Sequence, residues 1–457
     1  MSVTVIIWLA LFACLTLAAF VRPVYAVALY MLTFFLAPPF WWWGSPIAGY
    51  RWNFIGGVVL VMATLMAFQF SFSQLNSKIQ FVLKLALAML VNATFVHLVI
   101  AGGSEISGES YTLLAKLLLL FFLFFAAIKT KADFKIAMIA ILLGAAYIGY
   151  EVTFNDRGSI EANRLEGIGA PGASSANHFA SLMVTVMPLV APFFLAGKKR
   201  GKILAVVCAP LILNVVLLCN SRGAFLAAIV SAFVFLASAP KSIRGKAWKL
   251  IAFGLVATFM LMGDARILER FATTFVAQEE RDSSAQSRIE YAKAGLAMAA
   301  DYPLGAGGDS FKKVHGVTYL RKMGIANEAH AIHNGFINEA CEWGVLGVLL
   351  RIGIFAVTML TAWKHLRIPE PVYLDKDELI ELNFDKLAGC AFLAGCSAFL
   401  VTSLFGDHFD SEWGLWLVAL MLSYVSLNPI NSEFELEEDE DAESVGPNEV
   451  GDINAAV

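Results

Sequence analysis

The chain has 457 residues, 58% of them hydrophobic and only 15% charged, with a formal net charge of −4. Soluble domains hold about 25% charged and 45–50% apolar residues, so this composition excludes an ordinary soluble globular protein. The net charge itself decides little, because much of the acid lies in one tail, and no nucleic-acid partner is expected.

The apolar residues come in blocks. Spans are expected at 3–20, 24–40, 54–72, 81–100, 111–128, 134–150, 179–195, 203–219, 223–239, 249–263, 337–363, 387–405 and 413–427. Runs of about 17–25 apolar residues match a hydrocarbon core of about 30 Å. Inside lipid every backbone N–H and C=O must be paired within the segment, so such runs become helices. The fold class is therefore an all-α integral membrane bundle of about 12–13 transmembrane helices, covering residues 1–430. The first run, Val3 to Phe20, lacks a basic leading region and continues into further spans, so a cleaved signal peptide is not expected. Pro38-Pro39 breaks the second run, and the following Trp41-Trp42-Trp43 segment, with Tyr50 and Trp52, suits an interfacial aromatic belt or, less readily, a sugar-stacking surface.

Two connections are long: Glu151–His178, and Asp264–Gly335, a large loop of about 70 residues. Within the second, Asp282–Ala300 has apolar residues at helical spacing, with Ser283–Ser284 as the start and Pro303 beyond the end, so the loop is expected to be partly helical. The chain closes on residues 431–457, whose SEFELEEDEDAE run predicts an acidic, disordered cytoplasmic tail. The six cysteines lie in or beside apolar runs with no CxxC spacing, which argues against a disulfide or metal framework.

Loop charges orient the bundle. Lys129–Lys135, Lys198–Lys202, Lys241–Lys249 and the Lys364–Arg367 edge are basic and fall on one parity of the span count. The Gly102–Ser110 and Gly406–Glu412 loops are acidic and fall on the other. Basic loops stay cytoplasmic, which puts the N-terminus and the two long connections outside and the acidic tail inside.

The residues that could carry chemistry sit on that outer side. Arg222 lies in Ser221-Arg222-Gly223-Ala224, a short link between spans; it is either a snorkelling anchor or a functional cation. Anchoring is the weaker reading, because basic anchors concentrate on the opposite face. Arg288, on the expected loop helix, and Arg164, in Arg164-Leu165-Glu166-Gly167, would each alone read as a solvated arginine. Three guanidiniums on one face, beside the Gly305-Ala306-Gly307-Gly308 turn, make a site for phosphate or pyrophosphate, because arginine matches those oxygens bidentately and stays charged. His330 and His333 run into a span three residues apart, on one face if the segment is helical, and could handle a proton near neutral pH. A metal held by these two with Glu328, Asp407 or His408 is the less supported alternative.

These stretches resemble a known family. His333-Asn334, nine residues, then Gly344-Val345-Leu346-Gly347 resembles the H-N-x9-G-x-x-G signature of the O-antigen ligase and Wzy-type polymerase superfamily. Ser221-Arg222-Gly223-Ala224 looks like its S-R-G-A turn, and Arg288 through Asp301-Tyr302-Pro303-Leu304-Gly305-Ala306-Gly307 is similar to its R…(D/N)-x-P-L-x-G-x-G stretch. Arg164 to Gly167 with Asn177 resembles an earlier R-x-x-G…P-N segment, although here the proline is displaced to Pro171. The likeness covers roughly residues 160–430.

The resemblance implies a GT-C-like bacterial inner-membrane glycosyltransferase, metal-independent and without a cofactor. Such enzymes pass a glycan from an undecaprenyl-pyrophosphate carrier to a glycan, lipid or protein acceptor at the periplasmic face. It also implies roles: Arg222 and Arg288 on the pyrophosphate, His333 activating or orienting the acceptor hydroxyl, and Arg164, Asn177, His330 and Asn334 binding substrate. Ligase and polymerase share these motifs. From other classes, a transporter would call for two related halves with interrupted helices, which the sequence does not display, and a passive scaffold would leave the outer Arg/His set without a purpose.

Overall fold

The computed structural model describes residues 2–67, 75–161, 164–170, 172–173, 175–261, 283–325, 328–368 and 375–428, and no side chains in 257–261 and 283–286. The acidic tail, residues 264–282, Asn163 and Pro171 lie outside the described residues. The helices are α1 Val3–Ala19, α2 Val24–Phe35, α3 Trp52–Met66, α4 Ser77–Phe95, α5 Glu105–Ala127, α6 Lys131–Phe154, α7 Ala176–Val186, α8 Val190–Leu195, α9 Lys199–Cys219, α10 Arg222–Ser238 and α11 Lys241–Leu261. They continue as α12 Ser283–Asp301, α13 Gly316–Lys322, α14 Gly335–Leu366, α15 Lys376–Ser403 and α16 Glu412–Leu427. Among the described residues, seven helical stretches are long and apolar enough to cross a membrane, and five shorter apolar helices accompany them. The protein is a multi-pass, all-α membrane bundle. Its one described sheet is a hairpin of β1 Ser159–Glu161 and β2 Arg164–Glu166, inside the connection after α6, where the sequence showed only a long loop.

Several expected loops are helix ends instead. Lys131 opens α6, where Thr130 and Asp133 form a capping box, Lys199 opens α9, and Lys241 opens α11. The basic residues are first turns, so the links between these helices are shorter than the charge pattern suggested. The Trp41 segment also differs from an aromatic belt. Trp41 and Trp43 are buried, donating to the Phe35 carbonyl and the Tyr147 hydroxyl, and only Trp42 of the three is exposed.

α15 and α16 form the axis of the bundle. Phe384 to Phe399 and Trp413 to Val425 are buried without a break. A helix buried on every side needs small residues where neighbours approach, because in lipid only close packing rewards association. Gly395 supplies one such place: a Cβ there would stand 2.6 Å from the Thr185 carbonyl oxygen. On the rim, Leu87, Val91 and Phe95 of α4 and Ile203, Val206 and Val207 of α9 stay exposed, as surfaces that meet lipid do.

α14 is interrupted. Gly344 has φ 75° and ψ −179°, a conformation strained for residues with a side chain. The backbone groups freed by the break are met by the stretch after α12. Ala306 and Gly307 N–H donate to the Cys341 and Glu342 carbonyls at 2.9 and 3.0 Å, and Val345 N–H donates to the Pro303 carbonyl at 3.0 Å. Asn92 of α4 donates to the Trp343 carbonyl at 2.9 Å. The fit is backbone against backbone: a Cβ on Gly305 would stand 2.5 Å from the Glu342 oxygen, and one on Gly344 would stand 2.4 Å from the Leu304 carbonyl carbon. The glycines at 305 and 344 are thus two halves of one contact, which lets irregular backbone exist inside the bundle.

Candidate functional site

α12 reaches the site because a second small core anchors it. Tyr291, Ala294 and Met298 pack with Phe311, Leu320, Ile332 and Cys341. Gly295 lets α14 come close: a Cβ there would stand 2.7 Å from Ile337 Cγ2, and the Cys341 thiol donates to the Gly295 carbonyl at 3.3 Å. Arg288, one turn before Tyr291, is held half-buried, and its Nε has no hydrogen-bond partner among the described residues.

Arg222 owes its place to a tight reversal. α9 ends on Asn220 in the left-handed region (φ 45°), Ser221 is extended, and Arg222 is the first residue of α10. A guanidinium at a helix N-terminus adds to the positive end of the helix dipole, which favours an anion there. Behind it, Gly223 admits Phe405, whose Cβ lies 2.9 Å from where a Gly223 Cβ would be. That contact lays the loop between α15 and α16 across the start of α10.

Arg164 joins from the hairpin. It donates from Nη2 to Asn177 Oδ1 and from Nε to the Cys219 carbonyl at 3.4 Å, while the Ser221 hydroxyl donates to the same Asn177 oxygen at 3.0 Å. Glu166 on the same strand accepts from the Ala176 N–H at the start of α7 at 2.8 Å. Asn177 is therefore the joint between the hairpin and the Arg222 turn. Arg288 feels the other two arginines. Burial lowers the Arg288 pKa first, Arg164 and Arg222 lower it further, and Asp407 opposes them.

The His330–Asn334 segment is not helical, so the two histidines do not share a helix face. His333 lies in the left-handed region, φ 58°, and α14 starts only at Gly335. Such a conformation costs a non-glycine residue about 1–3 kcal/mol unless its surroundings hold it. Asp407 holds it: Oδ2 accepts from His333 N–H at 3.3 Å and Oδ1 from Asn334 N–H at 3.1 Å. Asn334 caps α14, its Oδ1 accepting from Phe336 and Ile337 N–H at 3.1 Å each, and its Nδ2 donates to the Leu404 carbonyl at 3.3 Å. The expected substrate-binding amide is committed to the turn that presents His333. His330 stacks on Tyr291, ring centroids 6.2 Å apart.

Two more histidines complete the cluster. The rings of His178 and His408 meet edge-on at 5.0 Å, and buried His408 has no partner for Nδ1 among the described residues. Burial, then Arg288, His178 and His330, push the His333 imidazole down to about 4. Burial, then His178 and His333, push His408 down to about 3. Burial raises Asp407 to about 6, against the pull of its two N–H donors and Lys312. The arrangement has a cationic wall of Arg164, Arg222 and Arg288 facing a neutral imidazole whose backbone a carboxylate grips. Among the described residues no three His, Cys, Asp or Glu side chains form a metal-ligand group.

The structure gathers Arg164, Arg222, Arg288, His330 and His333 at one end of the bundle. Asn177 and Asn334 are there as braces. Sequence reasoning missed His178, and weighed Asp407 and His408 only as metal partners. The one signal for them was position: an acidic Gly406–Glu412 loop and a histidine at the mouth of a span, both on the parity of the arginines. No curated protein matches the chain. Residues 204–352 match the family described as O-Antigen ligase, a segment running from α9 through the break at Gly344 and holding Arg222, Arg288 and His333.

Proposed function

We propose, from the match of residues 204–352 to the O-antigen ligase family, that the chain is a membrane glycosyl-transfer protein of that superfamily and moves a glycan from an undecaprenyl-pyrophosphate carrier to an acceptor hydroxyl at the periplasmic face of a bacterial inner membrane. The observation that carries the reading is the triple guanidinium wall around half-buried Arg288, set against His333. Departure of a lipid diphosphate builds negative charge, and preorganised arginine donors stabilise it without a metal. The acceptor oxygen bonds to the anomeric carbon, the bond from that carbon to the diphosphate oxygen breaks, and the hydroxyl proton passes to His333.

The electrostatics order these events. Burial first, and Arg288 after it, disfavour an imidazolium at His333. A bound diphosphate cancels the Arg288 charge, so His333 regains basicity when the donor is present and stays proton-free when it is not. Asp407 is a positioning residue in this scheme. Arg164 supports the same anion, with Asn177 fixing its direction, and His330 flanks His333.

Ligase action is the first reading, with repeat-unit polymerisation the alternative within the superfamily. The test is transfer of labelled glycan from the lipid carrier by purified Arg222→Ala, Arg288→Ala and His333→Ala proteins. Each is expected to lose activity by about 100-fold or more, the usual scale for a lost oxyanion donor or general base. Near-normal rates in all three folded variants overturn the proposal. Retained lipid-linked polymer in a deletion strain identifies a ligase, whereas accumulated single repeats identify a polymerase. Formation of product in detergent, where no gradient exists, separates either from a transporter.

A further inference from the structure

α5 carries a second feature. Glu105, Glu109, Thr112 and Lys116 follow one another at spacings of three and four and are all exposed, as are Leu113 and Leu119 alongside. The stripe therefore looks outward, to lipid. Lys116 lies eleven residues below Glu105, about 16 Å along the axis and at the centre of this 23-residue helix. That is an expensive place for an ammonium, and residues of this kind in a span mark a functional contact by default. Among the described residues neither Lys116 nor Glu105 has an ion-pair or hydrogen-bond partner. The Lys116 side chain shares a cavity of about 560 Å³ with Glu105, Glu109, Thr112 and His97, so its charge reaches up towards the end of the bundle that holds the arginines.

The charges in this trench are ordered: an ammonium at depth, and two carboxylates nearer the end. Glu109 already gives Oε2 to Lys313 at 2.9 Å, which leaves its other oxygen and all of Glu105. A purely anionic headgroup would be repelled at the mouth. A second copy of the chain related by a two-fold axis along the membrane normal would set Lys116 level with Lys116, and like charges at one depth repel. Large Leu113 and Leu119 also replace the small residues that close helix pairs use. We propose that the trench binds a phospholipid whose headgroup carries both a phosphate and a primary ammonium, the phosphate on Lys116 and Thr112 and the ammonium on Glu105 and Glu109.

The lipid would support the site. One turn along the same helix, the Ser107 hydroxyl accepts from Gly308 N–H at 3.1 Å. Lys313 bridges Glu109 and Asp309 at 2.9 Å each, and Asp309 N–H donates to Glu342 of α14 at 2.9 Å. The bound headgroup thus sits beside the anchors of the stretch that fills the Gly344 break.

The test uses the full-length protein, stripped of co-purified lipid and titrated with phosphatidylethanolamine, phosphatidylcholine or phosphatidylglycerol in mixed micelles, with retained lipid read by native mass spectrometry. Phosphatidylethanolamine is expected to be retained about tenfold more tightly than the other two, and both Lys116→Leu and Glu105→Gln are expected to erase that preference. Unchanged helicity and thermal unfolding establish that the variants fold. Equal retention of the three lipids, unchanged preference in folded variants, or a dimer that Lys116→Leu dissolves would each overturn the proposal. None of these readouts depends on glycan transfer.

Discussion

The two ends of the bundle treat charge in opposite ways. At the end away from the arginines, charges come in pairs. Arg22 meets Asp133, Lys131 meets Asp385 at 2.6 Å, Lys198 meets Asp377 at 3.1 Å and Lys135 meets Glu381 at 3.7 Å. Capping boxes close the starts of α6 and α15 there. At the arginine end, cations are massed, a carboxylate is pushed towards neutrality, and four non-glycine residues among those described, Asp156, Asn220, Asp309 and His333, are held at positive φ. One end spends its polar groups on holding helices, and the other, besides the Lys313 pairs with Glu109 and Asp309, stores strain and like charge. Stored strain of that kind collects where a ligand relieves it.

The largest expected breach of this contrast is Gly344→Ala. The new methyl would overlap the Leu304 carbonyl and occupy a forbidden φ, so we expect a loss of about 3 kcal/mol or more, read as a fall in unfolding temperature, together with loss of transfer activity. Next comes Asp407→Ala, which frees the His333 turn. It should lower transfer about 10–100-fold, and Asp407→Asn, which keeps an acceptor oxygen, should recover part of that.

At the opposite end, Lys131→Ala leaves buried Asp385 without its cation. Because the lysine is partly exposed, about 1–2 kcal/mol of stability should be lost, with activity per folded molecule unchanged. Lys198→Ala, at an exposed pair, should shift stability by less than about 0.5 kcal/mol.

The subtlest effect is in pH. His333 has a folded pKa depressed to about 4 from 6.5, so the native state resists protonation and is penalised as pH falls from 6.5 towards 4. His333→Gln removes that penalty, so its unfolding temperature relative to wild type should be higher at pH 5 than at pH 8. An equal offset at both values would show that His333 titrates normally. Asp407, raised to about 6, should instead lose its grip on the turn as pH falls through 6. Wild-type transfer in the range 5–7 should follow that loss, and in Asp407→Asn the step should vanish.

Much of the architecture was legible before any coordinates. Among the described residues each of the thirteen apolar runs contains helix, although the second run leaves the α-helix at Phe35 and the run at 179–195 is divided between α7 and α8, and the loop helix expected at 282–300 is α12. Its capping residues fall outside the described side chains. Arg222 and His333 stood out in the sequence because charge at the edge of a span is rare, and the structure brings both to the end of the bundle that holds Arg288. The helix break at Gly344 was not legible, since a glycine inside an apolar run reads as a tolerated helix residue. Only the Pro303–Gly307 stretch lying against it shows why the helix opens there. The capping role of Asn334 was hidden for a related reason: an amide next to a candidate base reads as a ligand group until the backbone N–H groups it accepts from are seen.

The sequence by itself determined that this protein spans the membrane, which of its residues collect on one side, and what charge that side presents. These follow from solvent: hydrocarbon selects apolar helices, and burial makes each ionisable group costly enough to notice. Tertiary structure alone decided that Arg164 comes within electrostatic reach of Arg288 across more than 120 residues of chain, that Asp407 grips His333, and that Gly305 and Gly344 share one contact. Those depend on how helices cross and where backbone can touch backbone, and neither is set by the polarity of a single run.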